Sequence, residues 1–462
     1  MRCSVSSIIW RPFDSCSCSV KKSLPISRHF HAKIVWYNYK DCFQEVDWRR
    51  ECHSLIKGDI VVGLDIGTST VRAIIGELDG LNVNIIGVGT AKSDGIKKGA
   101  IVDIDKTVTA IRNAVDHAER MVGISIGAAY VGVSGSHISL QPSHGIVAVS
   151  AIDREIGDED VERVIAAARV INLPAEREIV DVVPREFMVD GLQEVTDPRG
   201  MIGVRLEVDT YVVTGSRTVL HNLLRCVERA GIEIAGTVLM PLAAADMVLS
   251  NDEKKLGVVL VDVGAGATTI SLFERGTLER FAVIPVGGDS VTNDITVGLQ
   301  TGTDAAEAAK CRHGVAQISQ AREEEKFKVS RIGSSMDRDC TAVELAYIIE
   351  PRMQEIFSLV RYEVERLGYP QGLPSGYVLS GGSLLLKGAD RLAEQELGGP
   401  VRIAIPDYVG VRDPSYVGCV GMIKYVSRYY QRQTVAASAQ VKRARGGSSA
   451  LQKIKGWFQD FI

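Results

Sequence analysis

The chain has 462 residues, 45% hydrophobic and 24% charged, with 53 Lys and Arg against 57 Asp and Glu for a net charge of −4. That length allows two or three domains with full cores, and the composition is ordinary for a globular protein. The slightly acidic balance excludes broad nucleic-acid binding, and no uninterrupted apolar run reaches the ~18–20 residues that cross a bilayer as a helix.

Residues 1–56 stand apart. The first forty carry seven Lys and Arg, many Ser and one acid, Asp14, a composition shared by organellar presequences and by translated upstream sequence. No Met falls between Met1 and Met121. The segment reads as an extension, either disordered or the product of a miscalled start, outside the fold. It holds Cys3, Cys16, Cys18, Cys42 and Cys52; the other four cysteines, Cys226, Cys311, Cys340 and Cys419, are scattered singly, as in a reduced body without a disulfide framework. Cys16-Ser-Cys18 is too close for the usual zinc spacing, and His29 and His31 offer no second matching pair.

After Lys57-Gly58 come three strand-like runs, Ile60–Ile66, Val71–Glu77 and Asn84–Thr90, separated by turn residues such as Thr68-Ser69 and Asp79-Gly80. They predict a meander at the start of a mixed sheet. The first run ends in a distinct device. In Val61–Thr70 (VVGLDIGTST) a β-branched stretch reaches Asp65, then Gly67, then the hydroxyls of Thr68 and Ser69. Small side chains there let a phosphate approach the backbone N–H groups, and an Asp at the strand end suits a hydrated Mg²⁺ beside it. Asp105–Met121 then reads as a helix with Val108, Ile111, Val115 and Ala118 on one face.

Residues 134–213 read as a compact α+β unit, with strands near Gly145–Ser150, Arg177–Val189 and Val204–Thr214. Its helix, Asp158–Val170, opens on Asp158, Glu159 and Asp160, acids that favour an N-terminus. The unit interrupts the path to a helix at Thr218–Ala230, which marks it as an insertion. The first lobe is therefore expected to span 57–133 and to resume over 214–256.

A second lobe is expected over 257–430. It opens with strands at Gly257–Val263, Thr269–Phe273 and Arg280–Pro285, and Val258–Phe273 (VVLVDVGAGATTISLF) repeats the first device with Asp262, Gly264 and Gly266. One strand-Asp-Gly turn is common punctuation; two of them predict a cleft with a phosphate loop on either wall. Helices follow at Ser290–Leu299 and Asp304–Arg312. The polar Ser319–Asp339 reads as a strand or hairpin near the surface, and Ala342–Leu367 as a helix. A buried strand, Gly376–Ser380, opens into Gly381-Gly382-Ser383, with a helix at Leu392–Leu397.

Residues 431–449 have the Gln, Ala, Ser, Gly and basic composition of a tether, with a flexible reach of ~25 Å. In 450–462 (ALQKIKGWFQDFI), Leu451, Ile454, Trp457, Phe458, Phe461 and Ile462 share one helical face flanked by Lys453 and Lys455. Thirteen residues are too few to span a bilayer but enough to lie in its interface, where Lys442, Arg443 and Arg445 would be drawn to anionic lipid. The plainer reading is a helix docked on the protein itself, which would need no tether. A single weak anchor is reversible, so firm attachment needs several copies held together, as in a polymer.

The series of two phosphate turns, a Glu307-x-x-Lys310 helix and a strand ending in Gly-Gly resembles the nucleotide cleft of the actin-like ATPase superfamily. Taken alone, Glu307 and Lys310 would be an ordinary i,i+3 surface ion pair. Val61–Glu77, Asn84–Thr90, Val133–Ile138, Gly203–Leu206, Glu344–Arg352 and Arg402–Ile405 together resemble the bacterial FtsA cell-division family, over nearly all of Ile60–Ile462. The resemblance implies an α/β, actin-like two-lobed ATPase fold with an inserted small α+β (SHS2-like) subdomain and a C-terminal amphipathic helix. It also implies ATP and Mg²⁺ between the lobes. On that basis Asp65, Gly67, Thr68 and Ser69 match the first phosphate motif, and Asp262, Gly264 and Gly266 the second. Asp65 and Asp262 would hold Mg²⁺ through water, Glu307 and Lys310 lie on the base and ribose side, and Gly381, Gly382 and Ser383 match the adenosine motif.

The family further implies polymerisation on the cytoplasmic face of the cell membrane at the division septum. It implies binding of the FtsZ C-terminal tail through the region of Ser319–Arg352, with Arg338 and Arg352 at basic family positions, and recruitment of later division proteins. One departure stands out: the family's second phosphate motif usually reads Gly-Gly-Gly-Thr-x-Asp, whereas this chain has Gly264-Ala-Gly-Ala-Thr-Thr269. The missing carboxylate leaves binding intact and puts hydrolysis in doubt, and no residue is assigned as catalytic base. The rivals are a chaperone-like or sugar-kinase-like ATPase and a pilus-assembly actin homologue. A substrate-binding domain or a catalytic Asp facing a sugar pocket would mark the first two, and neither is read here. The amphipathic 450–462 argues against the third.

Overall fold

The computed structural model describes residues 59–79, 82–333 and 336–428. The expected extension at 1–56, the tether at 431–449 and the amphipathic segment at 450–462 lie outside the described residues.

The first sheet starts as the expected meander. β1 (Asp59–Ile66) turns at Gly67 into the antiparallel β2 (Thr70–Asp79), and β3 (Asn82–Lys92) pairs antiparallel with β2. A small hairpin, β4 (Ile96–Lys97) and β5 (Ala100–Ile101), leads into α1 (Ile104–Val122). Asp103 caps that helix by accepting from the Lys106 N–H at 3.0 Å. Its apolar face, with Val108, Ile111, Ala114, Val115 and Ala118, packs on Leu64, Val71, Ala73 and Ile75 of the sheet. β6 (Ala128–Val133) then returns parallel to β1.

The inserted unit follows. β7 (Ser139–Ala148), α2 (Asp158–Ala168), β8 (Arg177–Val189), β9 (Leu192–Val195) and β10 (Arg205–Ser216) form a sheet in the order β7-β10-β8-β9. Val161, Val164 and Ala168 of α2 bury against Phe187, Val189, Leu206 and Val208. β7 begins six residues before the expected Gly145, because Gln141, Pro142 and Ser143 hide its alternation while the ladder with β10 holds it in place.

α3 (Arg217–Arg229) leads to β11 (Glu233–Leu239), α4 (Met240–Val248) and α5 (Asn251–Leu256). The last three had no counterpart in the sequence reading, since Ala235 and Gly236 interrupt the apolar run of β11. β11 completes the first sheet, whose order is β3-β2-β1-β6-β11.

The second sheet repeats the first. β12 (Val258–Val263), β13 (Thr268–Glu274) and β14 (Thr277–Ile284) form an antiparallel meander, followed by α6 (Gly288–Leu299) and α7 (Thr303–His313). The polar segment holds the expected hairpin, β15 (Lys326–Val329) and β16 (Arg338–Thr341), before α8 (Ala342–Arg366). β17 (Tyr377–Ser380) and, after α9 (Ala389–Leu397), β18 (Val401–Ile403) add in parallel beside β12. The order β14-β13-β12-β17-β18 matches that of the first sheet strand for strand and direction for direction. Both Asp-x-Gly turns therefore fall at the same topological place, the end of the central strand. A final helix, α10 (417–428), was not read from the sequence. It packs on the first sheet, burying Cys419, Val420, Met422, Ile423 and Val426 with Val61, Ile74 and Val238.

Candidate functional site

The two central strands end in the same turn. Gly67 N–H donates to the Thr70 carbonyl at 3.1 Å and Gly264 N–H to the Ala267 carbonyl at 3.0 Å. Both turns line one cleft of ≈ 360 Å³, and all twelve residues expected to bind a cofactor line it with them: Asp65, Gly67, Thr68, Ser69, Asp262, Gly264, Gly266, Glu307, Lys310, Gly381, Gly382 and Ser383. The turns touch across it. A Cβ at Gly266 would lie 2.6 Å from Thr68 Oγ1, so only glycine lets the two walls approach this closely. Thr68 Oγ1 accepts from Gly99 N–H at 3.1 Å.

The third wall is fixed as tightly. Gly381 has φ +105°, and a Cβ there would meet the Val263 carbonyl at 2.4 Å. Ser383 Oγ donates to the Gly264 carbonyl at 3.0 Å, and Gly288 N–H donates to the same carbonyl at 2.9 Å. The start of α6 is thereby tied to the second turn.

Two enclosed carboxylates dominate the electrostatics. Asp65 lies across the hairpin from Arg72, with Oδ2 3.7 Å from Nη1. Burial pushes its carboxyl above the ordinary range, with Arg72 opposing. Asp262 accepts from Ser380 Oγ at 3.0 Å. Burial raises its carboxyl too; the Ser380 hydrogen bond opposes this and the charge of Asp65 adds to it. Like charges enclosed in one cleft call for a cation. Among the described residues no cluster of three or more His, Cys, Asp or Glu side chains makes a self-sufficient metal site. Mg²⁺ that keeps its waters and shares substrate phosphates takes only one or two carboxylates, so this donor set fits it.

On the α7 wall, Lys310 Nζ lies 2.7 Å from Glu307 Oε2, 2.7 Å from Thr292 Oγ1 and 3.0 Å from the Gly288 carbonyl. Thr292 also donates to Glu307. Burial works against the Glu307 charge, but Lys310 and Thr292 hold its carboxyl below the ordinary range. Only 11% of the Lys310 side chain is exposed against 43% of Glu307, so the lysine is built into the wall while the carboxylate stays partly open to solvent.

Sequence reasoning missed Arg72, Ser380, Thr292 and Asp289. Asp289 is raised by burial with Lys310 opposing. Gly287-Gly288-Asp289 carried the same signal as the other turns, glycine ahead of a helix with an acid in its first turn. Val219 and Leu223 of α3, with Met240, Pro241 and Ala244 of α4, supply an apolar rear wall.

Arg338 and Arg352 lie outside the cleft. Arg352 forks onto Asp294 of α6 (Nε–Oδ2 2.6 Å, Nη2–Oδ1 3.1 Å) and also contacts Glu355. Arg338 Nη1 donates to the Gly298 carbonyl at 3.3 Å, and its Nη2 lies 3.6 Å from Glu344. Both thus brace α6, one turn apart. Leu451, Ile454, Trp457, Phe458, Phe461 and Ile462 are outside the described residues.

A five-stranded sheet built twice around a shared glycine-turned cleft, with a further α+β unit inserted in its first half, defines an actin-like protein. The fold is similar to a chain of a solved PilM-PilN type IV pilus biogenesis complex, at a TM-score of 0.56 and 16% identity over 78% of this chain and 96% of that one. The family model described as cell division protein FtsA matches residues 259–421, and the SHS2 domain inserted in FTSA matches 135–214. Cell division protein FtsA of Bacillus subtilis (strain 168) is 50% identical over 370 residues, 80% of this chain and 84% of that protein. Its counterpart in Escherichia coli (strain K12) is 33% identical over 414 residues, 87% of this chain and 97% of that protein. The chain belongs to the FtsA family of cell division proteins.

Proposed function

We propose that this chain is an ATP-binding adaptor of cell division. It polymerises on the cytoplasmic face of the membrane at the septum, anchors the FtsZ ring there and helps recruit later division proteins. The observation that carries the nucleotide part is the convergence of Asp65, Asp262 and three glycine turns on one cleft. Backbone N–H groups and hydroxyls of Thr68, Ser69 and Gly266 take phosphate oxygens, while Gly67 and Gly264, whose own N–H groups close the turns, leave the backbone open to their approach. Gly381, Gly382 and Ser383 clear space for the nucleoside beside Glu307 and Lys310. Mg²⁺, when bound, supplies charge neutralisation to the phosphates, and Asp65 and Asp262 hold its water ligands. Thr269 leaves a neutral hydroxyl where the family motif has a carboxylate, so turnover is weak or absent.

Family membership and the apolar face of 450–462 support the membrane part of the reading. The acidic FtsZ tail would meet Arg338 and Arg352; at Arg352 it has to exchange with Asp294, which already forks onto that guanidinium.

Two measurements test the reading. Liposome flotation should need Leu451–Ile462, and equal flotation with and without that segment removes the anchor. Asp262→Ala should weaken ATP binding, and unchanged affinity means the second turn does not face the ligand.

A further inference from the structure

We infer that Ser380 is a positioning residue for the metal-holding carboxylate of the cleft: its hydroxyl fixes one oxygen of Asp262 and leaves the other to meet the water shell of Mg²⁺. This rests on reading the cleft as a Mg²⁺–nucleotide site. Ser380 closes β17 directly beside Asp262 in the parallel ladder, is fully buried, and donates from Oγ to Asp262 Oδ1 at 3.0 Å. Among the described residues the Asp262 carboxylate receives no other hydrogen bond. The strand leading to it, Tyr377, Val378 and Leu379, is apolar and buried. A hydroxyl at its end therefore answers to the carboxylate rather than to packing, because a buried polar group needs a partner.

The duplicated sheet supplies an internal control. In the first half, Leu64 pairs with Val131 of β6, which brings Gly132 beside Asp65, a residue with no side chain to donate. Asp65 is held instead by the Arg72 guanidinium across its hairpin. Asp262 has the neutral Thr269 in that place. One aspartate is thus paired directly with a cation, while the other is oriented by a hydroxyl and feels the charge of Arg72 without an ion pair. The charge left over for a divalent ion sits on Asp262, where orientation matters most. Groups that orient a metal-holding side chain in this way typically change metal affinity by about ten- to a hundredfold when lost.

The test is ATP binding by calorimetry on the full chain, in EDTA and across a Mg²⁺ titration. In Ser380→Ala the gain in ATP affinity brought by Mg²⁺ should fall about tenfold, with the half-saturating Mg²⁺ concentration rising to match. Ser380→Thr should restore the gain, and Ser380→Val, isosteric with the threonine variant but without its hydroxyl, should not. A wild-type Mg²⁺ titration in Ser380→Ala, equal losses with and without Mg²⁺, or a valine variant that behaves like the threonine one each overturns the positioning role. If the wild-type chain binds no ATP, or binds it without regard to Mg²⁺, the reading of the cleft itself falls, and this inference with it.

Discussion

Thr269 holds in the β12–β13 hairpin the place that Arg72 holds in the β1–β2 hairpin, each directly across the ladder from the aspartate of its turn. The two halves of the cleft share a backbone and differ in charge, with a carboxylate paired to a cation on one wall and one without an ion pair on the other. Replacing Thr269 with Asp would put a third carboxylate beside two that are already enclosed. Repulsion and desolvation should then lower the melting temperature in EDTA by about 2–4 °C, on the order of 1 kcal/mol. Excess Mg²⁺ with ATP should recover most of the loss. Thermal unfolding with and without Mg²⁺ checks this, and an unchanged melt in EDTA would mean that Thr269 does not face the carboxylates.

Removing a charge should do the reverse. Burial raises the Asp262 carboxyl above its unfolded value, so between those two values the folded chain holds a proton that the unfolded chain has lost. Stability therefore falls as pH rises through that window, starting from the ordinary carboxylate range near 4. Asp65, raised by burial in the same way, adds to the slope. Asp262→Asn should flatten it, leaving the Mg²⁺-free protein more stable than wild type at neutral pH while weakening ATP binding. Urea melts at pH 5 and pH 7.5 measure the slope; parallel shifts of both proteins between the two pH values would contradict it.

The parts of this site that a reader of the sequence can find are those encoded locally. Asp65 with Gly67, Asp262 with Gly264, and Gly381 with Gly382 each sit in a short window of apolar run, turn and small residues, and such a window needs no knowledge of what lies beside it. Arg72 and Ser380 act across a ladder. Arg72 is seven residues from its aspartate and Ser380 more than a hundred, and neither pairing is visible until register is known. β11 and α4 escaped for a related reason. Ala235 and Gly236 carry little apolar signal, and the strand owes its place to pairing with β6. Arg352 is legible in another way: its charge is plain in the sequence, but Asp294, which pairs with it, comes from another helix.

Lys92 at the end of β3 reaches Asp304 in the first turn of α7, 3.0 Å away, and so ties the first sheet's edge to the helix that carries Glu307 and Lys310. Both side chains are exposed, 66% and 92%, so the bridge is worth less than about 1 kcal/mol and weakens with salt. Lys92→Glu should speed release of a fluorescent ATP analogue by up to about fivefold at low ionic strength, and by less at 0.5 M salt. Pairing it with Asp304→Lys should slow release again. Stopped-flow dissociation measures both, and a salt-independent change in Lys92→Glu would rule out the bridge as its cause.

Glu279 of β14 joins the inserted unit to the second half of the molecule, and its setting is far drier. Arg185 of β8 forks onto it at 2.7 and 2.9 Å, Tyr211 of β10 donates to Oε2 at 3.2 Å, and Thr277 donates to Oε1 at 3.1 Å. Only 8% of Glu279 is exposed. Breaking such a pair by removing one partner strands the other charge, so Glu279→Ala should cost about 3 kcal/mol. Much of the value of a buried pair is the penalty avoided, and substituting both members with apolar residues of similar size is often close to neutral. Arg185→Met combined with Glu279→Met should accordingly be more stable than Glu279→Ala, despite carrying two changes. Denaturant melts of the three proteins decide it. A double variant less stable than Glu279→Ala would show that the ion pair contributes attraction beyond its own desolvation, and that the inserted unit is held to β14 by charge rather than by packing.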